Sequence, residues 1–203
     1  MDTKNSIKKQ IGMIEFVIPT HNSSHKLLCI LYSLLTQTNP NWKAHVVIDN
    51  ISTILYDKII ELLKDEDRIK FTSINGPHND LGHTPRNYGL ETALEEWVVM
   101  TGDDNYYVPT FVNEVYNIIE ESTNFVYCDM IHNGYDYQHF NTHHSSHHID
   151  IGNMIMRTQL ANQIKLKTKL LDADGVFCND YISKFCKEEN TIKKINKILY
   201  VHN

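Results

Sequence analysis

The chain has 203 residues, a hydrophobic share of 41%, a charged share of 22% and a formal net charge of −6 with histidine neutral. That is the balance of an ordinary globular domain, long enough for a real core, and its net negative charge excludes nucleic acid or an anionic membrane as a broad electrostatic partner. The cysteines Cys29, Cys128, Cys178 and Cys186 form no CxxC pair, which argues for reduced thiols and against a disulfide framework or zinc knuckle. No apolar run approaches the roughly 18 residues of a spanning helix, and the polar start from Met1 to Gln10 lacks the apolar stretch of a secretory signal. The expectation is a soluble cytoplasmic protein of one domain, with no membrane span and no nucleic-acid partner.

From the start, Ile14 to Ile18 reads as a strand closed by Pro19. A helix follows from about Ser24, with Ser23 or Ser24 as cap and Leu27, Leu28, Leu31, Leu34 and Leu35 on one face. Ala44 to Ile48 is a second buried strand, Ile54 to Leu63 an amphipathic helix, and Ile69 to Ser73 a third strand. The turn-rich stretch from Asn75 to His83 leads to Thr84, a cap residue with Pro85 at the first helical position, where a missing N–H loses nothing. That helix runs to about Glu95, and Trp97 to Thr101 forms the fourth strand.

After Thr101, Pro109 opens a helix whose apolar face is Phe111, Val112, Val115, Ile118 and Ile119, and Phe125 to Tyr127 is a fifth strand. Past Asp129 the pattern changes. Tyr135 to His148, rich in His, Tyr, Asn and Ser, reads as a long loop or irregular hairpin. Ile149 to Met156 reads as a strand, Arg157 to Ile164 as a short helix, Asn179 to Lys187 as a helix, and Ile195 to Val201 as a closing strand before His202.

Strands separated by helices of this length imply right-handed crossovers and an α/β fold with a mostly parallel sheet between helices. Ligands of such sheets collect at the carboxyl ends of the strands. Three polar groups fall there: Thr20-His21-Asn22, Asp49-Asn50 and Asp103-Asp104. The last pair is the most informative, because an ionised carboxylate is costly to bury without a partner, and a divalent cation carrying phosphate oxygens supplies one.

Phe16-Val17-Ile18-Pro19-Thr20-His21-Asn22, with the later Leu34-Leu35-Thr36-Gln37-Thr38, resembles the opening of family 2 glycosyltransferases. Gly82-His83-Thr84-Pro85-Arg86-Asn87-Tyr88-Gly89 looks like their G-x-x-x-A-R-N-x-G segment. Thr101 to Asn105 is similar to their metal motif in its spore-coat form, and the polar, histidine-rich character resembles small glycosyltransferase domains of large algal DNA viruses. The resemblance implies a single GT-A domain over residues 1–203, with a nucleotide-sugar half over about 13–110 and an acceptor half over about 111–203. It implies a UDP-sugar donor, Mn²⁺ or Mg²⁺, a glycan acceptor, free or on a glycoprotein, and a cytoplasmic site of action, the host cytoplasm for a viral protein.

Carried over residue by residue, Pro19, Thr20 and Asn22 would line the uridine pocket, and Asp49 would accept from the uracil N–H. Arg86 would hold the base or pyrophosphate, Asp103 the ribose and Asp104 the metal, with His202 as a further metal ligand favouring Mn²⁺. Within Gly175-Val176-Phe177-Cys178-Asn179-Asp180-Tyr181, Asp180 would be the base of an inverting transfer, with Asp172 and Asp174 as rivals. The segment holding His139, His143, His144, His147 and His148 is expected to be a loop near the acceptor rather than a zinc site, and Tyr106, Tyr107, Tyr135 and Tyr137 are candidates for stacking on sugars. Two alternatives stand beside this reading: a sugar nucleotidyltransferase, and an inactive nucleotide-sugar- or glycan-binding module.

Overall fold

The computed structural model describes residues 11–50, 52–167 and 172–203; the polar start from Met1 to Gln10 and Leu171 lie outside the described residues. The strands are β1 (Ile14–Thr20), β2 (Trp42–Asp49), β3 (Ile69–Ile74), β4 (Trp97–Met100), β5 (Tyr106–Tyr107), β6 (Phe125–His132), β7 (Gln138–Phe140), β8 (Met154–Arg157) and β9 (Ile192–His202). They form one sheet in the order β3-β2-β1-β4-β8-β6-β9-β5, with β7 on β6. The helices are α1 (Ser24–Leu35), α2 (Asp57–Leu62), α3 (His83–Thr92), α4 (Phe111–Ile118), α5 (Thr158–Ala161) and α6 (Ala173–Phe185).

Strands β1 to β4 are parallel, each joined to the next by a helix, and Ile14 is in register with both Trp42 and Trp97. This register brings the ends of β1, β2 and β4 to one edge of the sheet. Beyond β4 the sheet is mixed: β8 runs antiparallel to both β4 and β6, while β6 and β9 are parallel. No crossover helix separates β6, β7 and β8, so nothing returns the chain to the starting end of the sheet between them.

Side chains alternate between two buried layers, as the period of a strand requires. Phe16, Ile18, Trp97, Val99, Val126 and Cys128 face a layer closed by α1, α2 and α4. Val17, Val98, Met100, Phe125 and Tyr127 face the layer closed by α3, α5 and α6. Gly89 lets α3 approach the sheet closely, because a Cβ there would overlap the side chain of Val17. The Gln37 of the sequence motif is a structural tie. Its Oε1 accepts from the Val112 N–H at 3.0 Å and its Nε2 donates to the Val108 carbonyl at 2.9 Å, which fixes the end of α1 to the start of α4.

Several boundaries differ from the sequence reading. Strand β1 continues through Pro19 to Thr20. The Val17 carbonyl faces β4, where it accepts from Thr101 N, so Pro19, two residues on, turns its missing N–H to the same side, past the end of β4. Helix α2 begins at Asp57, leaving Ile54 and Leu55 exposed, and α6 begins at Ala173 rather than Asn179. The expected strand from Ile149 starts instead with a 3-10 turn over Ile151–Asn153, whose N–H groups are held by the Asp150 side chain. Thr84 is not the cap of α3. Asp80 performs that task, accepting from Thr84 N at 2.9 Å and Thr84 Oγ1 at 2.5 Å, while Gly82 (φ 80°) makes the left-handed turn before the helix. Among the described residues no helix is long and apolar enough to cross a membrane.

Candidate active site

At the carboxyl ends of β1, β2 and β4 lies an open cavity of about 320 Å³ whose wall includes Pro19, Thr20, Asp49, Arg86, Asp103 and Asp104. Four different segments meet there, and register rather than proximity in sequence brings them together.

Asp103 is bound on the β1 side. Thr20 Oγ1 donates to its Oδ2 at 2.5 Å, and the Ser23 hydroxyl donates to the same oxygen. Ser23 precedes α1 at the N-cap position, yet its hydroxyl makes no cap bond and serves Asp103 instead. Burial pushes the Asp103 carboxyl above the ordinary carboxylate value, opposed by those two hydroxyls and assisted by the neighbouring charge of Asp104. Asp104 is more open and forms an ion pair with Lys26 of α1 at 3.2 Å. Lys26 is therefore a local cation at a carboxylate pair, a role visible only once α1 is docked beside the β4 end.

Asp49 is buried at the end of β2. Its Oδ1 meets His78 Nδ1 at 2.5 Å and its Oδ2 accepts the His78 backbone N–H at 3.1 Å. Gly76 is needed for this cradle, since a Cβ there would overlap the Asp49 carboxylate. Across the wall, His21 Nδ1 donates to the Asp49 carbonyl at 2.9 Å, and its Nε2 accepts from Asn22 at 2.9 Å. Asn22 itself is exposed, has φ 54° and lies outside the cavity wall, and its left-handed backbone turns the chain from β1 into α1.

Arg86 braces the cavity by donating from Nε to the Thr101 carbonyl at 3.0 Å and from Nη1 to the Leu81 carbonyl at 2.8 Å. The loop it holds is strained. Asn79 and Leu81 have φ 51° and 61°, a conformation unfavourable for a side chain as bulky as leucine, and both line the cavity. Asp80 lines it as well, and its Oδ1 is buried with no hydrogen-bond partner.

The carboxylates of the α6 segment lie in different surroundings. Asp180 lies in the middle of α6, its side chain is 47% exposed, it pairs with Lys167 at 3.2 Å, and it does not line the cavity. One face of α6 must turn to solvent, and Asp180 is on it. Asp174, in the first turn of α6, is turned inward, where its Oδ2 accepts from Ile151 N at 3.3 Å. Burial, followed by the charge of Asp150, pushes its carboxyl up to about 6, while Arg86 and His202 oppose the rise. Asp174 thus lies within electrostatic reach of Arg86 on the cavity wall. Asp150 is held by Gly152 N at 2.8 Å and by the Tyr200 hydroxyl at 2.7 Å.

His202 is near the acidic loop through the chain, since the next residue's N–H donates to Asn105 Oδ1 at 3.2 Å. Its ring is engaged elsewhere: it stacks on His132 at 4.2 Å, meets Asn133 Oδ1 at 3.1 Å and lies 3.5 Å from Asp150 Oδ2. Among the described residues no three His, Cys, Asp or Glu side chains are gathered for a metal. A site of one or two carboxylates is still the usual protein share for a cation that takes its other ligands from substrate phosphates and water. Sequence reasoning missed Ser23, Lys26, His78 and Asp150; only the polar loop around His78 carried a signal.

A parallel half that ends in paired carboxylates, joined to a mixed half that carries the half-buried Asp174, is the architecture of the GT-A fold. The chain belongs to glycosyl transferase family 2, which it matches over residues 15–183. An uncharacterized glycosyltransferase of Haemophilus influenzae is 24% identical over 131 residues, 62% of this chain and 42% of that protein. S. aureus TarS 1-349 superposes with a TM-score of 0.76 at 20% identity, covering 94% of this chain and 60% of TarS 1-349. Its complex with UDP-GlcNAc superposes at 0.71 with 21% identity, over 93% of this chain and 58% of that one. A mannosyltransferase from Pyrobaculum calidifontis, solved with GDP-Man and Mn²⁺, superposes at 0.72 with 13% identity, over 96% of this chain and 57% of that one. The chain thus spans 42% to 60% of the length of these relatives.

Proposed function

We propose that this glycosyltransferase moves a sugar from a UDP-sugar to an acceptor hydroxyl with inversion, using Asp174 as base and a divalent cation at Asp104. The observation that carries the reading is the convergence of Thr20, Asp49, Arg86, Asp103 and Asp104 on one cavity, with Asp174 within electrostatic reach of Arg86. Asp49, fixed by His78, retains lone pairs for the uracil N–H, and Asp103 is positioned for ribose hydroxyls. Asp104 would hold Mn²⁺ or Mg²⁺, which when bound neutralises charge on the leaving diphosphate. Arg86 adds fixed positive charge to the same wall, and Lys26 pairs with Asp104 from α1.

In the transfer the acceptor oxygen attacks the anomeric carbon, its proton passes to the Asp174 carboxylate, and the carbon–oxygen bond to UDP breaks with its electron pair on the diphosphate. A carboxyl lifted to about 6 by burial is a stronger base than an exposed aspartate and still ionised near neutrality. The UDP complexes of TarS support the uridine choice, and the GDP-Man complex of the mannosyltransferase names its competitor. The test is a thermal-shift panel of UDP, GDP, CDP and dTDP with and without Mn²⁺, followed by hydrolysis assays of the matching nucleotide sugars. The largest Mn²⁺-dependent shift is expected with UDP; a larger one with GDP would overturn the donor assignment.

A further inference from the structure

Two buried tyrosines connect the acidic loop to Asp174. Tyr107 follows Asp104 closely in the chain and pairs across β5 and β9 with Tyr200, the two rings 5.2 Å apart. Both side chains are fully buried, and both hydroxyls are directed at the short turn that precedes β8. Tyr107 donates to the Gly152 carbonyl at 2.7 Å, and Tyr200 donates to Asp150 Oδ1 at 2.7 Å. Asn153 Nδ2 ties the same turn to β6 by donating to the Cys128 carbonyl at 2.8 Å. Gly152 is required for this contact, since a Cβ there would overlap the Tyr200 ring. The first N–H of the turn, that of Ile151, donates to Asp174 Oδ2 at 3.3 Å. The loop that carries Asp103 and Asp104 is fixed to the same strands. Asn105 Nδ2 closes it by donating to Thr101 Oγ1 at 3.3 Å, and Asn105 Oδ1 accepts from Asn203 N, just past β9, at 3.2 Å.

We propose that Tyr107 and Tyr200 are positioning residues of the transfer: through the Ile151–Asn153 turn they fix Asp174 relative to the Asp103–Asp104 loop. The proposal rests on the reading of Asp174 as base. Packing alone does not call for either hydroxyl, because phenylalanine would fill the same space, and a buried hydroxyl without a partner is costly. What the hydroxyls add is direction. Each pins one polar atom of the turn to a strand, and groups carried on strands are held more precisely than groups on loops. Transfer needs that precision, since moving a reacting group by about 1 Å costs on the order of 10² in rate.

The test measures hydrolysis of a UDP-sugar by the full chain, in which water takes the acceptor's place before the same base. The probe is the faster of UDP-glucose and UDP-GlcNAc, with Mn²⁺. Tyr107→Phe and Tyr200→Phe each remove one hydroxyl. Tyr116→Phe, the control, removes a hydroxyl that donates to the Gly12 carbonyl at 2.6 Å, before the start of β1 and so at the other end of the sheet. Asp174→Asn removes the base. Both positioning variants should lower kcat about five- to fiftyfold, with KM for the UDP-sugar within about twofold of native and thermal stabilisation by UDP and Mn²⁺ unchanged. Tyr116→Phe should keep the native kcat, and Asp174→Asn should abolish hydrolysis. The proposal is overturned if either positioning variant keeps the native kcat, if KM rises while kcat holds, or if Tyr116→Phe loses as much as they do. Hydrolysis retained in Asp174→Asn would instead overturn the reading of Asp174 as base.

Discussion

Replacing Asp174 by asparagine should destroy transfer and stabilise the protein. The gap between a folded value of about 6 and the ordinary 3.8 corresponds to about 3 kcal/mol of destabilisation once the carboxylate is ionised. The sign follows from proton binding: a carboxyl raised in the folded state holds its proton there while the unfolded chain has lost it. Stability therefore falls as pH rises from about 4 to about 6, and the loss is constant above that range. Asparagine mimics the protonated acid but still buries a polar amide, so about half of the effect is expected as gain. For a domain of this size that is a rise in Tm of roughly 3–6 °C at pH 7, vanishing near pH 4. Calorimetric melts of both proteins from pH 4 to 8 measure it, and transfer should fall by about 10²–10⁴ in the same variant. Equal Tm values at pH 7, or transfer retained, would refute both the buried-acid account and the base assignment.

Asp104→Ala should abolish the Mn²⁺-dependent part of thermal stabilisation by UDP, and an unchanged shift would remove Asp104 from the metal site. Asp180→Asn should leave transfer within about twofold of native and change stability by less than about 1 kcal/mol, because it breaks an exposed pair with Lys167. Thr20→Val removes a hydroxyl that donates to the half-buried Asp103 and should cost about 1–3 kcal/mol in urea unfolding, with weaker UDP binding. Gly89→Ala drives a methyl into Val17 and should cost about 1–3 kcal/mol at unchanged m-value; a neutral result would show that α3 can shift away from β1.

The first half of the domain was legible because its strands and helices carry opposite periodicities and alternate regularly. Leu27, Leu31 and Leu34 are buried on α1 as their spacing requires, and Phe16 and Val17 point to opposite layers. The second half was less legible. The β6–β7–β8 segment folds back on itself without a helix, so strand direction there depends on which edges are free for pairing. The α6 segment shows a related limit. A string fixes the spacing of its residues, but which face of α6 turns inward is decided by packing against Phe125 and Met154, which leaves Asp180 on the solvent side and turns Asp174 inward.

Read without its fold, the chain determines its class: alternating strands and helices, polar clusters at the strand ends, and two adjacent carboxylates that demand a counter-charge. Those are local facts, written in hydrophobic period and in the cost of burying ions. Tertiary structure decided which groups answer that demand. Ser23 and Thr20 reach Asp103 across 80 and 83 positions of sequence, Lys26 reaches Asp104 across 78, and Asp174 gains its raised pKa from burial and from Asp150. Hydrogen bonds and charge coupling act over a few ångströms, and only the folded sheet brings such distant positions within that range.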